Sequence, residues 1–123
     1  MTATLIDGKA IAARMREETR AEAQALTEAG WVPRLISISV GDVAAAELYV
    51  RNQQKSAEAS GVAFEARNYP ETISLEQLQG VIAGLNADPR VNGVIIPRPL
   101  PAHIPVKALQ KAVHPLKDVE GMH

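Results

Sequence analysis

The stretch that decides the fold runs from Val40 to Gly61 and reads VGDVAAAELYVRNQQKSAEASG. It follows a run of β-prone residues, continues as one long helical pattern and ends at a glycine, a common helix terminator. Tyr49 and Gln53 are four residues apart, so they lie about 40° apart on one face of the predicted helix. Lys55 points roughly 120° away from Tyr49. A ligand beside Tyr49 would therefore meet an amide rather than an amine.

The same helix also fits a purely structural interpretation. A single tyrosine on an amphipathic helix is usually half-buried packing, and the polar side chains opposite it form a solvated face. The helix pattern alone does not separate this interpretation from a binding role for Tyr49.

Strand-like and helical patterns alternate on both sides of this stretch. The Arg34–Val40 run, RLISISV, is β-prone and nearly continuously apolar, which is typical of a strand buried in a parallel sheet. Further β-like runs are Thr2–Ile6, Val62–Asn68 and Val91–Ile96, and further helices are predicted at Lys9–Ala29 after the cap Asp7, from Ser74 with a Gln77 capping box, and at Pro105–Val113. The sequence therefore predicts a single α/β domain over residues 1–123, a three-layer sandwich with a mainly parallel sheet flanked by helices.

Composition excludes several classes of function. The chain has 123 residues and a net charge of −1, and no basic stripe that would suit nucleic acid. It has no cysteine, and its three histidines are too scattered to pair as metal ligands, so no metal site is expected. No apolar run reaches the length of a membrane span, and the N-terminus has no signal pattern. These features predict a cytoplasmic protein without a membrane or nucleic-acid partner.

Ligands of parallel sheets bind beyond the carboxyl ends of the strands. Three segments follow predicted strand ends: Gly41–Asp42, the proline-rich Pro97–Pro101 run, and the loop that carries Asp118 and Glu120. Neither G-x-G-x-x-G nor G-x-x-x-x-G-K-[ST] occurs, so the sequence contains no recognisable nucleotide-phosphate loop. The residues alone place a site and leave its substrate open.

Five segments occur in an order and at a spacing that one family shares: LIDGKAIA, VGDVAAAELYV, KSAEASG, NGVIIPRPLP and HPLKDVEG. They resemble the N-terminal catalytic domain of FolD-type bifunctional methylenetetrahydrofolate dehydrogenase/methenyltetrahydrofolate cyclohydrolase. The resemblance covers essentially the whole chain. It implies that tetrahydrofolate binds in a cleft of this domain and that NADP or NAD binds to a following domain, absent from this chain. A piece of a longer protein and a stand-alone paralogue both remain open.

The resemblance also implies roles for individual residues. Catalytic positions correspond to Tyr49, Gln53 and Glu120; substrate-binding positions correspond to Tyr49, Gln53, Pro97, Arg98, Pro99, Leu100, Asp118 and Glu120. Four of them depart from the family pattern: Gln53 stands where the family has a lysine, Pro97 where it has a glutamine, Arg98 where it has a leucine, and Glu120 where it has an aspartate.

Two of these departures, at Gln53 and Pro97, fall on the groups that assist water attack in the family, and Glu120 stands at the position that contacts the pterin ring. A glutamine amide neither titrates nor carries charge, and proline offers no side-chain hydrogen bond. The resemblance therefore implies a dehydrogenase of one-carbon metabolism with impaired cyclohydrolase activity, in the full-length protein a homodimer that acts on a small-molecule folate. The alternative is a non-catalytic folate- or pterin-binding paralogue or regulatory module.

Overall fold

The computed structural model describes residues 3–42 and 44–123. Its elements follow in the order α1 (Gly8–Glu28), β1 (Arg34–Val40), α2 (Ala44–Ala59), β2 (Ala63–Tyr69), α3 (Leu75–Ala87), β3 (Gly93–Ile95) and α4 (Val106–Ala112), before a 3-10 turn at Pro115–Lys117. The predicted α/β alternation is confirmed. Within the two described ranges, no helix combines the length and the apolar character needed to cross a membrane.

The predicted strand at Thr2–Ile6 is wrong over residues 3–6, which adopt no regular structure. Leu5 and Ile6 are 93% and 86% exposed, so this apolar segment packs against no part of the described chain. A β-like segment gains stability only by pairing with a sheet, and this one pairs with none of the three strands. Thr2 itself lies outside the described residues.

Three parallel strands form the sheet in the order β2-β1-β3. The central strand β1 pairs with β2 over its whole length, from Arg34↔Ala63 to Val40↔Tyr69. It pairs with β3 over only three residues of each strand. β3 is shorter than the predicted Val91–Ile96 run: at its end the Ile96 amide donates to the Glu120 carboxylate rather than to β1, and Pro97 has no amide hydrogen with which to continue the ladder.

Alternate side chains of β1 serve opposite faces of the sheet. Ile36, Ile38 and Val40 are buried in a core shared with α3 and α4, whose buried residues include Leu78, Ile82, Leu85 and Leu109. The other face carries Leu35, which lines a cavity together with residues of α1 and α2. Helices therefore cover both faces of the sheet, and the predicted three-layer sandwich is confirmed.

The helix ends also follow the sequence signals. The Asp7 carboxylate accepts a hydrogen bond from the Ala10 amide at 3.1 Å and so caps α1, as predicted. Ser74 and Gln77 form the predicted capping box at the start of α3. Gly61, which follows α2, has a φ of +77°, a backbone conformation that favours glycine.

We expect Ile38→Ala to lower the free energy of unfolding by about 2–5 kcal/mol, because Ile38 is fully buried and truncation leaves a cavity in the core. Urea denaturation followed by circular dichroism measures this change. The matched control Leu5→Ala removes an exposed side chain and should change the free energy by less than about 0.5 kcal/mol. Equal losses in both variants would contradict the described core.

Candidate ligand-binding site

A cavity of about 430 Å³ lies beside Tyr49, between α2 and the sheet. Its lining is mostly apolar, and its polar side chains are amides and hydroxyls; it consists of Thr19, Leu35, Tyr49, Asn52, Gln53, Ser56, Ala57, Ser60, Val62 and Ile95. Among the described residues of this lining, no side chain is charged at neutral pH. The Tyr49 side chain is half exposed, so its ring remains available to a ligand. The cavity can therefore accept a flat, neutral group but provides no charge to stabilise an ion.

The Gln53 side chain contains a buried polar atom that lacks a partner in the described part of the chain. Its Oε1 atom is buried without a hydrogen-bond partner among the described residues, and so is the hydroxyl of Ser37. Ser37 pairs with Ile95, which lines the Tyr49 cavity, so both orphaned groups lie under α2 close to this cavity. A buried polar atom without a partner costs about 1–3 kcal/mol. The interface under α2 therefore retains unused hydrogen-bonding capacity next to the candidate site.

A second cavity, of about 300 Å³, lies at the carboxyl ends of the strands. Gly41 and Asp42, which follow β1, line it together with Pro97 and Pro99, which follow β3. These two segments therefore meet, as expected for loops at one edge of a parallel sheet. Pro97 is buried, so its ring forms part of the wall rather than a free surface.

A third hollow, of only about 20 Å³, contains Arg98, Asp118 and Glu120. It has room for about one water molecule. Leu100 lines none of the three hollows and packs against the core instead. The structure therefore distributes the predicted site residues over three neighbouring hollows around the end of β3, with Tyr49 and Gln53 together in the largest.

The loop that carries Asp118 and Glu120 is attached to β3 by its backbone and by one side chain. Asp118 forms a parallel bridge with Val94. The Glu120 carboxylate accepts a hydrogen bond from the Ile96 amide at 3.1 Å through one oxygen. Backbone N–H groups, above all that of His123 at 2.7 Å, lower the pKa of Asp118. Both carboxylates therefore help to hold this loop against the edge of the sheet.

Gly93 determines how closely the same loop approaches the sheet. A Cβ at this position would lie 2.7 Å from the Val119 side chain and 2.9 Å from Leu35. Both distances are shorter than packed carbon atoms allow. Val119 therefore occupies space that only glycine leaves open, and sequence reasoning did not identify it.

Sequence reasoning also missed several residues that line the Tyr49 cavity. Asn52 and Ser56 on α2 and Ser60 just after its end recur at four-residue spacing, and this periodicity after Tyr49 could have indicated them. Thr19 and Ile95 come from distant parts of the chain, and no local pattern connects them to Tyr49.

Comparison with known proteins identifies relatives over nearly the whole chain. The family model described as tetrahydrofolate dehydrogenase/cyclohydrolase, catalytic domain, matches residues 6–120. The chain is 53% identical over 118 residues to bifunctional protein FolD 2 of Mesorhizobium japonicum, covering 96% of this chain and 39% of that protein. It is 48% identical over 119 residues to bifunctional protein FolD of Rhodobacter capsulatus, covering 97% and 40%. The chain thus spans about two-fifths of these curated relatives.

Solved structures agree with the sequence matches. The bifunctional enzyme FolD from Campylobacter jejuni superposes with a TM-score of 0.93 at 35% identity, over 98% of this chain and 43% of that chain. The methylenetetrahydrofolate dehydrogenase-cyclohydrolase of Trypanosoma brucei, solved with NADP and an inhibitor, superposes with a TM-score of 0.83 at 30% identity, over 96% and 41%. The described fold therefore corresponds to one part of these larger enzymes.

We expect Gly93→Ala to lower the free energy of unfolding by about 1–3 kcal/mol, because the new methyl group overlaps Val119 and Leu35. Adding Val119→Ala should recover part of this loss, whereas Val119→Ala in the unmodified chain should not stabilise it. A thermal or urea unfolding series on the four proteins measures the coupling. Strictly additive effects would show that Val119 does not pack on Gly93.

Proposed function

The chain belongs to the tetrahydrofolate dehydrogenase/cyclohydrolase family, and we propose that it is the folate-binding catalytic domain of a methylenetetrahydrofolate dehydrogenase with impaired cyclohydrolase activity. The reaction is the oxidation of 5,10-methylene- to 5,10-methenyl-tetrahydrofolate in one-carbon metabolism. The longer relatives combine two activities, as the word bifunctional in their names states. The residues of the candidate site support the dehydrogenase activity over the cyclohydrolase activity.

The single observation that carries this proposal is the uncharged cavity beside Tyr49. A reduced pterin is a flat heterocycle that can lie on an aromatic ring, and the half-exposed Tyr49 supplies one. The amide and hydroxyl groups of Asn52, Gln53 and Ser56 then offer hydrogen bonds to the edges of the heterocycle. The lining therefore has the character of a site for a neutral, hydrogen-bonding ring system.

Hydrolysis of the methenyl group requires more than such a lining. Water attack needs a proton carrier or a polarising charge near the reacting carbon. Gln53 supplies neither, because an amide does not titrate, and its Oε1 atom is buried. Pro97 is buried and has no side-chain donor or acceptor. Both features support impaired cyclohydrolase chemistry.

Hydride transfer has different requirements. The hydride passes directly from the methylene carbon to the nicotinamide, which supplies the redox chemistry when it is bound. The chain's own residues then need only to hold the substrate in the correct orientation, which Tyr49 and the polar face of α2 can do. The proposed dehydrogenase activity is therefore compatible with a glutamine, rather than a lysine, at Gln53.

We place the nicotinamide cofactor, NADP or NAD, on a part of the protein beyond these 123 residues. The sequence has no glycine-rich phosphate loop that would fit a dinucleotide. The Trypanosoma brucei relative was solved with NADP, and a Saccharomyces cerevisiae relative, 26% identical, is described as NAD-dependent. Both cofactors therefore remain compatible with the family.

The remaining site residues form the wall around the end of β3. We assign to Glu120 a contact with the pterin through the carboxylate oxygen that the Ile96 amide does not use. Asp118 positions this loop through its hydrogen bonds to the backbone. Three further residues support the substrate from the same edge: Arg98, Pro99 and Leu100.

The same proposal includes the cellular location, the oligomeric state and the partners of the protein. We infer a cytoplasmic enzyme that acts as a homodimer in its full-length form, on a small-molecule folate and not on nucleic acid. The net charge of −1 supports the inference that the protein does not act on nucleic acid. A non-catalytic folate-binding module is less favoured, because the curated relatives reported above are named bifunctional proteins.

We expect this chain to bind a stable reduced folate such as 5-formyltetrahydrofolate weakly, and Tyr49→Ala to weaken that binding by about 1–3 kcal/mol through loss of the aromatic contact. Titration calorimetry measures the affinity, and thermal unfolding of the same variant measures stability. Leu48→Ala, an exposed neighbour on α2, is the matched control and should leave the affinity unchanged. If Tyr49→Ala lowers stability but not affinity, Tyr49 has only a packing role.

A second prediction concerns the lost hydrolytic groups. We fuse this chain to the remaining part of the Mesorhizobium japonicum relative and follow the loss of methenyl absorbance, corrected for spontaneous hydrolysis. Gln53→Lys combined with Pro97→Gln should raise the hydrolysis rate by at least about tenfold, and each change alone should do less. Dehydrogenase activity of the unmodified fusion is the control for folding. If the unmodified fusion hydrolyses as fast as the relative itself, the assignment of Gln53 is wrong.

A further inference from the structure

A groove of about 370 Å³ lies at the amino ends of β1 and β2, on the face of the sheet opposite the Tyr49 cavity. Four residues line it: Val32, Arg34, Ala63 and Arg90. The side chain of Arg34 is on the same face of the sheet as Ile36, whereas Leu35, which lines the Tyr49 cavity, is on the opposite face. The groove is therefore separate from the proposed folate site, and it has two guanidinium groups in its lining.

Contacts to neighbouring side chains hold both guanidinium groups. Arg90 stacks over the Trp31 ring, with its guanidinium carbon 4.9 Å from the ring centroid. Arg34 donates from Nη2 to the Glu65 carboxylate at 3.1 Å, and its backbone amide donates to Asn92 at 2.9 Å. Because these contacts restrict the two side chains, an incoming ligand would lose little side-chain entropy in binding to them.

Most of the hydrogen-bonding capacity of these two groups is unused. A guanidinium has five N–H donors in one plane, and stacking on an aromatic ring occupies its face rather than its edge. Within the described part of the chain, the Arg90 side chain donates to no acceptor, and Arg34 donates only through Nη2. The described residues that line the groove include no carboxylate. The groove therefore presents unpaired donors to whatever occupies it.

The carboxylates next to the groove do not neutralise the positive charge of Arg34 and Arg90. The Glu65 carboxylate is shared between Arg34 and Arg67, and the hydrogen bond from Arg67 lowers its pKa. The Asp88 carboxylate accepts from the backbone amide of Arg90 at 2.8 Å, while Lys117 donates to the Asp88 carbonyl. Both charged side chains that line the groove are basic, and the nearby carboxylates of Glu65 and Asp88 already accept hydrogen bonds from the protein, so the groove is locally positive in a chain whose net charge is −1.

We propose that this groove binds a small organic anion, a carboxylate or a phosphate monoester. The anionic head contacts the guanidinium edges of Arg34 and Arg90, which match the geometry of both oxyanions. The apolar part of the ligand lies on Val32 and Ala63. The volume of the groove lies in the range of small-molecule sites and exceeds what an inorganic ion needs.

Trp31 reports directly on this groove, because it is the only tryptophan of the chain and carries Arg90 on its ring. Fluorescence titrations of the intact 123-residue chain use phenyl phosphate, benzoate and inorganic phosphate, with phenol as a neutral control. We expect saturable changes with phenyl phosphate, with benzoate or with both, at millimolar concentrations, and none with phenol. The ratio of the two organic affinities distinguishes a phosphate from a carboxylate ligand, and weaker binding of inorganic phosphate confirms the apolar contact.

Variants distinguish specific binding in the groove from nonspecific attraction of anions to positive charge. Arg90→Gln and Arg34→Gln should each weaken binding by about tenfold, the scale of one charge-assisted contact. Because Arg90→Gln also alters the Trp31 environment, affinities are measured in parallel from NMR shifts of the Val32 and Ala63 methyl groups. Arg51→Gln is the matched control, since it removes the same charge from an exposed position on α2. Absence of saturation, an equal response to phenol, or equal weakening by Arg51→Gln would overturn the proposal.

Discussion

The parallel pairing of β1 with a strand on each side is the constraint on which the rest of the structure depends. All seven residues of β1 pair with β2, and three of them pair also with β3. Successive side chains of a strand point to opposite faces of the sheet, and helices cover both faces of this one. Ile36, Ile38 and Val40 enter the core with α3 and α4, and Leu35 faces α2. Both layers of helices thus take their positions from one seven-residue segment.

Parallel pairing also places the loops. The segments after β1 and β3 emerge at the same edge, where Asp42 and Pro97 line one cavity although 54 intervening residues separate them. The chain's last loop is held at this edge by the Val94–Asp118 bridge and by the bond from the Ile96 amide to Glu120. Gly93 allows Val119 to lie directly on the sheet. The site is therefore assembled by backbone geometry, and its side chains are free to differ from those of relatives without loss of the fold.

The chemistry of the site follows from what its side chains lack. The cavity beside Tyr49 contains an aromatic ring, amides and hydroxyls, but no group that is charged at neutral pH. Such a lining can orient a neutral heterocycle for a reaction that another group drives, and it does not supply the charge that water attack requires. The distribution of charge within the domain is uneven, because Arg34 and Arg90 line a groove on the opposite face of the sheet. The linings on the two faces of one sheet thus differ in charge.

Local signals in the sequence determined the elements of this fold. The run RLISISV predicted β1 with its observed bounds, and Asp7, Ser74 and Gln77 marked helix starts, because strand burial and helix capping depend on a few adjacent residues. The face shared by Tyr49 and Gln53 was equally readable from helical periodicity. Tertiary structure alone decided that Thr19 and Ile95 line the same cavity, that Arg98 faces the Asp118–Glu120 loop, and that Leu5 and Ile6 remain unpaired. These contacts join segments far apart in the chain, and the sheet register that brings them together is set by packing over the whole domain.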